Sequence, residues 1–390
     1  MERSKSCLAK LNRLDLTMHH KEADRIPFSD FFWSSFVSRW QQELGLAKDA
    51  SPYTYYDLDW ICTTPNMDPH IKQFTVIKET DEDTILRTGF EAVIRRKVGI
   101  QMPYFESFDT DTIEKALEFK FDDPYDDRRY FSGGDNQIAG IGDVIARNSP
   151  PWIDSVKSLH HDFPVYGSVC EVMEEGWRII GTENLLMWMA LYPDEMDTFL
   201  GRVGDFVYGL VDAQIKAAGG LLDGMVVWGD VAYVNGMLFS PVMWRRYFKP
   251  QVKRIIDLCH AHNLPVIYHG CGNAKLIYPD LMELGLDCYN PLEAKSGLNV
   301  CDLRREYGHD IFTFVGNIDA NVWGNGTIDQ LRDEVMYKLN AAKGGGYIVQ
   351  SDHSVPSNVS AEKYEFVRNL VMKYGKYPLN LGAYDLPDVK

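Results

Sequence analysis

Eight short apolar runs recur along this chain, each followed by a longer stretch of helical periodicity, and no other feature narrows the possible folds as far. The runs fall at 26–29, 58–62, 164–169, 222–228, 265–268, 286–289, 312–315 and 347–350. Runs too short for helices that alternate with helical segments are the pattern of parallel strands covered on both faces. Eight such units close into a (β/α)8 barrel, so the expectation is an α/β fold in which 1–390 form a single TIM barrel. Local signals agree in the second half. Ser240-Pro241 is an N-cap with proline at the first helical position, and Thr327 and Gln330 make a capping box for a helix that stops at Gly344-Gly345-Gly346. Ser360 caps the last long helix. The rhythm breaks once, over about 70–162, a gap too long for one crossover helix. Within it, 74–78 and 84–97 alternate as an antiparallel hairpin and Asp111-Thr112-Ile113-Glu114 opens a helix. The expected insertion between strands 2 and 3 is therefore a hairpin plus helix, lying over the barrel mouth.

In such a barrel the chemistry sits at the carboxyl ends of the strands. The runs leave the sheet on polar groups at Asp30, Cys170-Glu171, Asp230, His269 and Cys271, Asn290 and Glu293, Asn317 and Asp319, and Ser351-Asp352-His353, and the second strand carries Asp57 and Asp59. An aspartate or asparagine after a strand is, taken singly, more often a helix cap than a functional group. The fifth run differs. Leu264-Pro265-Val266-Ile267-Tyr268 ends in His269-Gly270-Cys271-Gly272, which places an imidazole and a thiol two residues apart where glycines let the backbone turn. These are the ligands zinc prefers, and a catalytic zinc keeps three protein ligands and one open position. His353, on the eighth strand across the mouth, is the natural third. The competing account of His269 and Cys271 is a satisfied histidine beside a buried free cysteine.

Charge and cysteine usage exclude several classes. Forty basic against fifty-six acidic residues give a net charge of -16, which repels phosphate backbones and anionic lipid, so neither nucleic acid nor membrane is an expected partner. Seven cysteines scattered singly are no disulfide framework and suit a reducing compartment. The N-terminal residues carry Glu2, Arg3, Lys5, Lys10 and Arg13 without an apolar segment, and a cytoplasmic protein is expected.

Several motifs carry a resemblance. Asp24-Arg25-Ile26-Pro27, Gly236-Met237-Leu238-Phe239-Ser240-Pro241, His269-Gly270-Cys271-Gly272-Asn273, Asn290-Pro291-Leu292-Glu293, Gly316-Asn317-Ile318-Asp319 and Gly346-Tyr347-Ile348 through His353 together resemble the uroporphyrinogen decarboxylase superfamily, over about 20–375. One branch of that superfamily decarboxylates a porphyrinogen without a metal. Another consists of zinc-dependent methyltransferases that use His-x-Cys and a later cysteine as ligands and exchange methyl groups with a corrinoid or a thiol. His269 and Cys271 match the second branch. His353 stands where its later cysteine would be, and a histidine there is also what the decarboxylases have. The decarboxylases share an Arg-Gln-Ala-Gly-Arg segment after the first strand that pairs with substrate carboxylates, whereas this chain has Ser29-Asp30-Phe31-Phe32-Trp33-Ser34-Ser35.

The resemblance thus implies a zinc-dependent methyltransferase, with zinc on His269, Cys271 and His353. Asp230, Glu171 and Glu293 are candidates for orienting a ligand or handling a proton. Asp59, Trp60, Trp228, Phe32 and Asn317 are candidates for holding a small, uncharged or aromatic methyl donor. The Asp-x-His-x-x-Gly arrangement that holds cobalamin is absent, so a corrinoid (cobalamin) is expected on a separate protein. The alternatives are a metal-free decarboxylase-like enzyme and a ligand-binding barrel without turnover. An amidohydrolase-type metal site is disfavoured, because the first strand carries no His-x-His.

Overall fold

The computed structural model describes residues 2–98, 100, 102–138, 146–387 and 389. Seven strands make one parallel sheet in the order Ile61–Cys62, Val165–Cys170, Gly224–Trp228, Val266–His269, Cys288–Asn290, Thr313–Ile318 and Tyr347–Ser351. Helices cover the outer face, the longest being Pro193–Ala218. Burial on both faces explains why these strands read as unbroken apolar runs: every residue of Val165–Cys170, Val266–His269 and Tyr347–Ser351 is buried.

The sheet is curled. Trp60, Tyr166, Val226, Ile267, Cys288, Val315 and Ile348, at or beside each successive strand, converge on one interior cluster with Phe31 and Leu14. The expected first strand, 26–29, is no ladder of its own; it joins the two edges of the sheet. Val349 N donates to Pro27 O at 3.0 Å, and Asp59 N donates to Phe28 O at 3.0 Å. Phe28 N in turn donates to the Asp59 carboxylate at 2.7 Å. The caps read from the sequence are present: Ser240 and Ser360 accept from backbone amides, and Thr327 with Gln330 completes the reciprocal box.

The segment between the first two laddered strands is richer than a hairpin and a helix. It holds a four-stranded antiparallel sheet, Thr75–Glu79, Asp83–Arg87, Ala92–Lys97 and Tyr104–Phe108. The stretch 84–97, expected as one arm of a hairpin, is itself two strands that turn at Gly89, a position closed to any side chain because a Cβ there would meet His70 O at 2.3 Å. Helix Ile113–Glu118 starts one residue later than the motif suggested, with Thr112 accepting from Lys115 N. A second small sheet pairs Gly134–Asn136 with Ala146–Ser149. Positions 99, 101 and 139–145 of the expected insertion lie outside the described residues. No helix among the described residues is long and apolar enough to cross a membrane, and all seven cysteines are free.

Candidate metal centre

Parallel register sets the neighbours of His269. It lies level with Trp228 on one adjoining strand and with Asn290 on the other. The Trp228 ring packs 4.8 Å from the imidazole, and Phe31 approaches at 6.1 Å. Asn290 Nδ2 donates to Val315 O, which leaves its Oδ1 facing His269 Nδ1 at 2.5 Å. An amide oxygen can only accept, so Nδ1 carries the proton and Nε2 keeps its lone pair. Burial lowers the His269 pKa to about 4. The ring is therefore neutral near pH 7, the form a metal requires.

Beyond His269 the chain turns into the loop that carries Cys271. Gly272 adopts a φ of +76°, and a Cβ there would meet Tyr233 O at 2.5 Å, so only glycine fits. Two carboxylates hold the loop by its amides: Cys271 N donates to Asp230 at 2.8 Å, and Gly272 N to Glu293 at 2.9 Å. Cys271 Sγ comes to 3.3 Å from His269 Nε2, and Asp230 lies 3.8 Å from the same nitrogen. His353 closes the other side, stacked on Trp33 at 5.7 Å.

Four potential ligands thus surround Cys271, in two groups whose ligand atoms lie within 4.8 Å of one another: Asp230, His269 and Cys271, and Cys271, Glu293 and His353. The expected trio of His269, Cys271 and His353 is not one such group; Cys271 belongs to both, while the two imidazole centroids stand 6.5 Å apart. The histidines also differ in readiness. Ser354 N donates to His353 Nδ1 at 2.8 Å, so the neutral ring carries its proton on Nε2 and must exchange it, or give up that amide, to bind a cation. Burial pushes the Cys271 thiol well above its usual value, and Asp230 and Glu293 push it further. A thiol held among carboxylates ionises when a cation joins it, so this donor set fits a divalent metal of borderline softness such as zinc.

The centre opens into a cavity of about 490 Å³. Its wall near Cys271 is built by Asp230, Glu293, Lys295, Trp228 and Trp33. Glu174, Trp177 and Arg178, from helix Val172–Ile180, and Gln137, from the inserted segment, also line it. Sequence reasoning missed these four residues. The acid–base pair Glu174 and Arg178, four apart on one helix, was its one available signal.

Of the residues expected to hold substrate, the structure brings only Trp228 to the cavity wall. Asp59 is fully buried between Arg13 at 2.5 Å and Arg25 at 2.7 Å, and ties the N-terminal segment to the sheet. Phe32 packs among Phe36, Tyr53 and Tyr364. Trp60 is part of the interior cluster, edge-on to Phe31. Asn317, with a φ of +73°, staples a loop: it accepts from Val300 N and donates to Leu292 O and Leu298 O. Each satisfies buried backbone or fills the core, which a strand-end position alone does not reveal. Among the proton-handling candidates, Asp230 and Glu293 line the cavity, but Glu171 does not. Its carboxyl is wholly buried with no hydrogen-bond partner among the described residues, flanks Gly229 together with the Tyr268 hydroxyl, and is pushed well above the usual carboxylate range by burial.

A curled parallel sheet with a histidine–cysteine centre at its carboxyl edge defines an α/β enzyme-like class, and comparison with known proteins narrows it. The family described as uroporphyrinogen decarboxylase (URO-D) matches 157–374, more than half of the chain, and the chain belongs to that family. His269, Cys271 and His353 lie inside the matched stretch; Trp33, Met102 and Gln137 precede it. The chain is similar to a methylated-thiol–coenzyme M methyltransferase of Methanosarcina mazei, 26% identical over 157 residues that make 40% of this chain and 39% of that protein. It is also similar to a uroporphyrinogen decarboxylase of Bacillus subtilis, 24% identical over 253 residues, 61% of this chain and 67% of that one. A solved structure described as a methyltransferase from Methanosarcina mazei superposes with a TM-score of 0.62 at 15% identity, covering 93% of this chain and 98% of the other, which is a likeness of fold.

Proposed function

We propose that this protein is a zinc-dependent methyltransferase built on a (β/α)8 barrel that includes the whole chain, with the segment 70–162 inserted over its mouth. It would move a methyl group between a small, aromatic or methoxylated substrate and either a corrinoid protein or a thiol. The observation that carries this reading is the Cys271 thiol, 3.3 Å from an unprotonated His269 nitrogen in a loop pinned by Asp230 and Glu293. Cys271 and His269 would hold zinc, with the further ligands drawn from Asp230, Glu293 and His353. When bound, zinc would supply Lewis acidity and keep a thiol ionised at neutral pH.

The chain's own residues do the rest. Asn290 fixes the His269 ring and its tautomer. Asp230, about half exposed at the mouth, and Glu293, paired with Lys295 at 2.9 Å, are placed to take up or return a proton. Trp33 and Trp228 line the site beside the two histidines. A porphyrinogen octa-acid fits this cavity poorly, since Arg178 and Lys295, the arginine and lysine among its described lining residues, are each already paired with a glutamate.

Elemental analysis after zinc loading tests the centre. The expected result is about one zinc per chain, lost in Cys271→Ser with the fold retained. Zinc unchanged in that variant would overturn the assignment. Methyl transfer to reduced cobalamin from methoxylated donors tests the reaction, and formation of coproporphyrinogen from uroporphyrinogen would move the protein to the decarboxylase reading.

A further inference from the structure

The donor atoms around Cys271 cannot all serve one ion. Zinc holds nitrogen and oxygen ligands at about 2.0–2.2 Å and sulfur at about 2.3 Å, so two donors on one ion stand no more than about 4.5 Å apart. Asp230, His269 and Cys271 form one set whose ligand atoms lie within 4.8 Å of one another, close enough for small side-chain shifts to reach that limit, and Cys271, Glu293 and His353 form another. Among the described residues no set of three that mixes the two sides comes as close, and Cys271 alone belongs to both.

Each set offers one imidazole, one carboxylate and the same sulfur. A zinc seated in the first set leaves Glu293 and His353 beside a sulfur that is then a thiolate with lone pairs to spare. Charge points the same way. Asp230, Glu293 and an ionised Cys271 carry three negative charges, one more than a single divalent ion neutralises, while Lys295 bonds Glu293 at 2.9 Å from an exposed position that it can leave. Each carboxylate accepts a loop amide and, with about four lone-pair sites, keeps capacity for a cation. The sets fill in order. His269 presents an unprotonated Nε2, because Asn290 holds its proton on Nδ1, whereas His353 must move its proton or release the Ser354 amide before it can bind. The first ion therefore enters at Asp230, His269 and Cys271, and it is the one zinc per chain of the reading above.

We propose that the centre holds a second, weaker divalent-metal site at Glu293 and His353, with Cys271 as a thiolate bridge between two ions. All five donors line one cavity, so a substrate there meets two Lewis-acid centres instead of one. The second site rests on the zinc reading of the first, but not on methyl transfer.

Metal titration of the metal-free full chain tests the second site. Zinc uptake is read by elemental analysis, and cobalt(II), a paramagnetic substitute, by electron paramagnetic resonance. The expected result is a first equivalent followed by a second that binds at least about tenfold more weakly. The second cobalt should reduce the signal of the first, because a shared sulfur couples the two spins. His353→Ala should abolish the second equivalent and leave the affinity of the first within about twofold. Should that variant fail to fold, His353→Phe, which keeps a ring against Trp33 and removes both nitrogens, makes the same comparison. Saturation at one ion per chain in excess metal, a second equivalent that survives both variants, or a second cobalt that leaves the first signal unchanged would overturn the proposal. No bound ion at all would refute the zinc reading of His269 and Cys271 along with it. A single ion that is lost in Cys271→Ser would sustain that reading and refute the second site alone.

Discussion

Two kinds of polar residue stand at the strand ends of this protein, alike in the sequence and opposite in use. At Asp230 and Glu293 each carboxylate accepts a loop amide, from Cys271 and Gly272, and still faces the cavity. At Asp59, Asn317 and Asp352 the side chain is turned into the protein. Asp59 is locked by two arginines, Asn317 by three backbone groups, and Asp352 by the amides of Ala294 and Ala320. The difference lies in what surrounds the exit. Where the following backbone is crowded against other elements, its orphan amides and carbonyls consume the side chain's hydrogen-bonding capacity. Where the loop borders the cavity, capacity is left over for a cation or substrate.

The largest test of that division is Asp59→Ala. Removing one member of a buried ion-pair cluster leaves Arg13 and Arg25 uncompensated, and the expected loss of stability is about 3–5 kcal/mol in a denaturant titration. Zinc content per folded chain should not change; a parallel fall in zinc affinity would show that Asp59 belongs with the site after all.

Asn290→Ala probes the boundary between the two kinds, since Asn290 bonds both to backbone and to a proposed ligand. Loss of the bond that orients His269 should weaken zinc about 10–100-fold, read by competition with a chelator. Unchanged affinity would mean that the His269 tautomer is set elsewhere.

The pH dependence of zinc binding separates the contributions of His269 and Cys271. His269 is already neutral above about 4, whereas Cys271 keeps its proton until a cation arrives. Binding therefore releases one proton, from sulfur. Affinity should rise about tenfold per pH unit between pH 6 and 8 and fall as pH drops. A slope of zero would mean that the thiol is not a ligand.

Asp319→Ala should do least. Its carboxylate caps the helix Ala320–Asn325 through the amides of Asn321 and Val322, and the expected cost is about 1 kcal/mol with no effect on zinc. A change in zinc content would move it out of the capping class.

Much of the fold was legible because strand burial writes itself into the sequence as runs such as Val266–His269 and Tyr347–Ser351, and because caps such as Thr327 with Gln330 act over three residues. The His-x-Cys pair was legible for the same local reason: two residues on one strand exit reach the same spot, here to 3.3 Å. Chain proximity alone therefore determined the strands, the caps and the pairing of His269 with Cys271. Only the tertiary structure decided which strand-end acids face the cavity, that Asp230 and Glu293 share Cys271 with two histidines, and that Gln137 and Arg178, 41 positions apart, line one cavity. Whether a polar group is spent on backbone or left for a ligand depends on neighbours brought from distant segments, and no local pattern records them.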